Sequence, residues 1–126
     1  MAESLLFSIV ESAGHPNLTS VYQRRNIREV RLPSIRKAIQ ELRRQCPDYV
    51  VAEFFYGYGN NYAGANLGNL DVFLASLQKY APTARVIVMV DKQERQHAER
   101  LAERYPVFAV LAHPVSAADI DALLPA

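Results

Sequence analysis

Four residues able to do acid–base or metal chemistry each follow an apolar run: Glu11, Glu53, Asp91 and His113. Glu53 follows Tyr49-Val50-Val51-Ala52, apolar at every position, which reads as a central parallel strand covered on both faces. Glu11 and Ser12 follow the run 5–10, Asp91 the run 85–90, and His113 the run 107–112. If these runs are parallel strands of one sheet, all four residues stand at the edge where open α/β sheets hold their ligands. Carboxylates gathered there could bind a hard divalent cation through oxygen, and His113 could act as a base. Nothing supplies an evident nucleophile with an orienting partner, which a small hydrolase-like enzyme would need.

A second feature is the segment 55–68, rich in glycine, asparagine and tyrosine, which follows Glu53 directly. Tyr56, Tyr58 and Tyr62 offer amphipathic rings, and the glycines give conformational range. Two readings stay open: a loop that binds a partner or ligand through these tyrosines, or a self-packed cover over the acidic pocket. Gly57-Tyr58-Gly59 with Gly64 is a weak phosphate-loop signal, because a bulky loop without a lysine departs from the tight, fixed-spacing strand-to-helix turn of such loops.

The elements that must position these residues alternate along the chain. Strands are expected at 5–10, 28–32, 49–53, 85–90 and 107–112, with 28–32 at or near an edge because it alternates polar and apolar residues. Helices are expected at 18–25 with Asn17 as cap, 35–45 with Ser34 as cap, 70–80 with Asn69 as cap, 94–104, and 117–124 with Ser116 and Asp119 forming a capping box. Ile35, Ala38, Ile39 and Leu42 make the buried stripe of the second helix; Val72, Phe73 and Leu77 are available for that of the third. Strict alternation implies a parallel sheet with right-handed crossovers and helices on both faces. The simplest architecture is a flavodoxin-like (βα)5 doubly wound three-layer sandwich, strand order 2-1-3-4-5, in one domain over 1–126.

Composition narrows the class. The chain has 126 residues, half of them hydrophobic and about a fifth charged, with no apolar stretch near the ~18 residues of a membrane span. The N-terminus lacks a signal-peptide pattern. The single cysteine, Cys46, suits a reducing cytoplasm and reads as a thiol at a helix end. His15 and His97 read as solvated side chains. The net charge of +1 hides an asymmetry, since Arg24, Arg25, Arg28, Arg31, Arg36, Lys37, Arg43 and Arg44 crowd the first part of the chain. These are either the solvated faces of two helices or a surface that steers an acidic partner or self-association. No aromatic platform interleaves with them, so nucleic acid is not an expected partner.

Three segments carry a family resemblance: the acid after the first run, Pro47-Asp48 before the third, and His113-Pro114-Val115-Ser116 after the fifth. Over residues 5–124 the chain resembles the receiver domains of bacterial response regulators, with several extra residues between Glu53 and the next helix. In that family two acids after the first strand and an acceptor aspartate ending the third hold magnesium; the matching positions here are Glu11, Ser12 and Glu53. The resemblance implies one carboxylate lost and two lengthened by a methylene. Mg²⁺ requires near-octahedral geometry at ~2.0–2.1 Å, which longer acids meet poorly. No metal or other cofactor is expected, Glu11 and Glu53 being the only candidates for such a role.

The remaining phosphorylation parts also differ. The family's hydroxyl residue ending the fourth strand corresponds to Val90, which cannot bond a phosphoryl oxygen. Its lysine after the fifth strand corresponds to His113, and its aromatic switch to Val110. The resemblance implies a cis bond before Pro114. The expectation is a degenerate pseudo-receiver without the phosphoacceptor aspartate: a non-catalytic, cytoplasmic signalling module acting on protein partners of a bacterial pathway, or on a second copy as a homodimer. With the last helix running to the chain end, no attached output domain is expected. The alternatives are an atypical phosphate-regulated receiver, and a small-molecule binder or small enzyme using the strand-end pocket.

Overall fold

The structure, a computed structural model, describes residues 4–9, 18–55 and 70–124. Strands β1 (Ser4–Ile9), β2 (Ile27–Leu32), β3 (Tyr49–Phe54), β4 (Arg85–Val90) and β5 (Ala109–Ala112) form one sheet, ordered β2-β1-β3-β4-β5. Every pairing is parallel. Helices α1 (Thr19–Arg24), α2 (Ile35–Leu42), α3 (Asp71–Tyr80), α4 (Arg95–Arg104) and α5 (Ala117–Asp121) alternate with the strands. This is the flavodoxin-like sandwich that the alternation implies, with β2 and β5 at the edges. No helix among the described residues is long and apolar enough to cross a membrane.

Side-chain alternation along the strands builds two cores. Phe7, Ile9, Val50, Ala52, Phe54, Val86, Val88 and Val90 pack with Ala38 and Leu42 of α2, Phe73, Leu74 and Leu77 of α3, and Leu101 of α4. Leu6, Tyr49, Val51, Ile87 and Met89 point to the other face, against Val21 and Tyr22 of α1 and Ile120 of α5. β3 lies between β1 and β4 and is buried at all six positions, which explains its unbroken apolar run. Fully burying a Leu, Val or Phe side chain is worth ~1.5–3 kcal/mol, so the central strands anchor everything at their ends.

Local signals set the helix ends. Ser34 Oγ accepts from Lys37 N at 3.1 Å and starts α2. Ser116 and Asp119 form the reciprocal capping box that starts α5. Asn26, at φ 57°, supplies the left-handed residue that turns the chain from α1 into β2. Cys46 is exposed, and its Sγ donates to the carbonyl of Tyr80 at 3.1 Å, linking the ends of α2 and α3.

Some expectations need correcting. Val72 is 52% exposed, because the 3.6-residue period places Leu70, Phe73, Leu74 and Leu77 on the inner face and Val72 off it. The fourth helix begins later: Asp91 Oδ1 accepts from Gln93 N at 3.1 Å and opens a short 3-10 helix (Lys92–Glu94) before α4. His97 is half-buried, with its Nδ1 enclosed, where a solvated ring was expected on this charged helix. Leu18 and Leu70 stand at the N-caps of α1 and α3 and offer no side-chain cap; the expected caps Asn17 and Asn69 lie outside the described residues.

Candidate functional site

The C-terminal ends of β3, β4 and β5 converge on a cleft of about 830 Å³. Its lining includes Glu53 and Phe55 at the end of β3, Asp91 and Lys92 after β4, and His113 and Pro114 after β5. Parallel register makes this convergence: Glu53 lies opposite Met89, and Val90 lies opposite Ala112. The His113 amide then donates to the Val90 carbonyl at 2.8 Å, extending the β4–β5 ladder by one bond. The His113–Pro114 bond is cis, as the resemblance implies.

Three of the four strand-end residues singled out from sequence, Glu53, Asp91 and His113, therefore line one cleft. Glu53 is only 2% exposed, on the sheet face shared with Met89 and Leu111, and so stands at the cleft's inner wall. Asp91 is exposed, and one of its oxygens is committed to capping the following turn. Val90 sends its side chain into the core beside α2, α3 and α4 and does not line the cleft; Met89 does. Glu11, Ser12, Tyr56, Tyr58 and Tyr62 lie outside the described residues.

Sequence reasoning passed over Lys92 and Glu94, which also line the cleft. The signal was available, since both follow the strand end at Asp91, but Glu94 was read as the first residue of the expected helix and Lys92 as part of the connection before it. Also unanticipated was Asp71, 1% exposed in the first turn of α3, with Arg104 Nη1 of α4 at 3.7 Å from its Oδ2. Nothing in the spacing of these two residues announces that pairing.

The chemistry open to the cleft follows from this set. It combines carboxylates of Glu53, Asp91 and Glu94, the ammonium of Lys92, an imidazole, and the apolar walls of Phe54, Phe55, Met89 and Pro114. Among the described residues no three His, Cys, Asp or Glu side chains gather as a metal-holding group. An octahedral magnesium ion takes six oxygen ligands, and the side-chain carboxylates lining the cleft are those of Glu53, Asp91 and Glu94, so other oxygens would have to complete its shell.

No protein-family model matches the chain, and no curated protein matches its sequence. Solved structures do match. A response regulator receiver domain protein from Clostridium thermocellum superposes with a TM-score of 0.72 at 18% identity, covering 97% of this chain and 90% of that one. The receiver domain of NtrX from Brucella abortus gives 0.68 at 16% identity, covering 95% and 91%. The inactive form of the regulatory domain of the repressor of iron transport regulator gives 0.69 at 15% identity, covering 96% and 90%. At these identities the likeness is one of architecture: the chain has the receiver-domain fold, with its cleft at the strand ends where that fold places one.

Proposed function

We propose that this protein is a receiver-like module of a bacterial signalling pathway that acts in the cytoplasm by binding a protein partner and is not switched by phosphorylation. The observation that carries the reading is Glu53, a carboxylate one methylene longer than aspartate, 2% exposed at the end of β3. Phosphoryl transfer requires nucleophile, metal and phosphorus in line, and a misplacement on the order of 1 Å can cost ~100-fold in rate. An enclosed glutamate answers poorly to that demand. The side chain of Val90 is buried in the core, and His113 places an imidazole where the resemblance implies a lysine. On this reading the module's state changes through its partners.

The presence of Lys92 on the cleft wall favours one second reading, an atypical phosphate-regulated receiver in which that ammonium contacts the phosphoryl group. Incubation with acetyl phosphate and Mg²⁺ followed by intact mass spectrometry separates the two. The mass is expected to stay unchanged. A stable gain of one phosphoryl group mapped to Glu53 would overturn the first reading and establish the second.

A further inference from the structure

The basic residues crowded between positions 24 and 44 come together at the β2 edge of the sheet, and those on α2 have no structural task. α1 and α2 flank β2 from opposite faces, so one side of the molecule collects eight arginines and lysines against Glu29 and Glu41. Several are accounted for. Arg25 pairs with Asp121, Arg31 lies 3.7 Å from Glu29, and Arg28 donates to Gln45 Oε1 at 2.8 Å. Charges on β2 itself also guard an edge strand against unwanted pairing.

Those explanations stop at α2. Its inner face is Ile35, Ala38, Ile39 and Leu42; its outer face exposes Arg36 and Lys37, and Arg43 and Arg44 are exposed in the turn that follows Leu42. None of these four makes an ion pair among the described residues. The neighbouring acid, Glu41, instead accepts from the uncharged Gln45 Nε2 at 2.7 Å. Arg43 and Arg44 suit the negative end of the helix dipole, but Arg36 and Lys37 occupy the first turn, which contains no acid and where the dipole disfavours cations. Two cations kept where local electrostatics opposes them are the kind of local conflict that marks a functional surface.

We infer that the outer face of α2 is a docking surface for an acidic helical segment of a partner protein. Arg36 and Lys37 stand in the first turn of α2, and Arg43 and Arg44 follow seven residues later, just past its last turn, so cations mark both ends of a two-turn helix. A partner helix with carboxylates repeating over two turns matches that spacing, and arginine's fork suits carboxylates. Nucleic acid fits less well. The chain's net charge is only +1, and neither α2 nor β2 carries an aromatic ring for base stacking.

The test uses fluorescence anisotropy at 150 mM salt with three labelled probes: an alanine-rich helical peptide carrying glutamates along one face, a peptide of the same composition with the glutamates dispersed around the helix, and a 20-base-pair DNA duplex. The one-face peptide is expected to bind tightest. R36E/K37E/R43E/R44E should weaken it by about tenfold or more, whereas R95E/R100E on α4 should leave it within about twofold. Because the quadruple variant carries a large charge change, R36A/K37A serves beside it. It should lose several-fold affinity while melting no lower than the parent, since it removes cations from the wrong end of a helix. Equal binding by the parent and both α2 variants, or duplex or dispersed peptide binding as tightly as the one-face peptide, would overturn the inference.

Discussion

Shortening Glu53 to aspartate removes one methylene, about 1.5 Å of reach, yet changes neither Val90 nor His113. E53D is therefore expected to remain unlabelled by acetyl phosphate, as judged by intact mass, and to lose ~1 kcal/mol of stability from the small void left at a 2% exposed position. Labelling of E53D would mean that acceptor length alone disables the cleft. At this scale the sequence was legible where a polar residue ends an apolar run, as with Glu53, Asp91 and His113. It was silent where a polar group is enclosed by distant neighbours. Tyr22 is one such case: its hydroxyl is buried with no hydrogen-bond partner among the described residues, and burial followed by the charge of Glu29 pushes the phenol well above its ordinary range. Asp71 is another, since the guanidinium it faces belongs to a helix met only later in the chain.

Among elements, the strands were the most legible. β4 runs over the expected residues because every position from Val86 to Val90 is buried, whereas β5 is shorter than expected because an edge strand has half-buried residues and a weaker pattern. Helix starts were legible where a serine cap was present, at Ser34 and Ser116, and Val72 was misplaced where the helix phase was ambiguous. The Pro47-Asp48 pair proves to be a staple at the opposite end of the strands from the cleft. Asp48 Oδ2 accepts from Leu5 N at 2.8 Å, its amide donates to Leu5 O at 2.7 Å, and its carbonyl accepts from Arg85 N at 3.0 Å. One residue thus joins β1, β3 and β4. D48A is expected to cost ~1–3 kcal/mol, because it strips the Leu5 amide of a charged acceptor. A lowered urea midpoint at unchanged slope would register that loss.

For the whole molecule, the last helix is tied back to the first crossover. Arg25 Nε donates to Asp121 Oδ1 at 2.7 Å and its Nη2 to the Asp121 carbonyl at 3.0 Å. The hydrogen bond from Arg25 holds the Asp121 carboxyl below the usual carboxylate range. A depressed folded-state pKa contributes stability above the unfolded value of ~3.9 and loses it as pH falls below that point. R25A should therefore be less stable than the parent at pH 7, with the gap narrowing at pH 3; urea midpoints at the two pH values measure this. The fold class was legible at this scale because alternation of elements leaves few topologies. The crowding of cations in residues 24–44 was legible as well, but which of them are paired was not, because Arg25 finds its acid ninety-six positions away at Asp121.

The Asp48 staple and the Glu53 cleft stand at opposite ends of β3, a strand of six residues and so about 20 Å long. Perturbations that far apart add independently. The cleft rim can therefore be rewritten, by drift or by a combinatorial library, without loosening the keel that keeps the sheet in register. That makes the protein a ready chassis for installing new ligand chemistry at its open end.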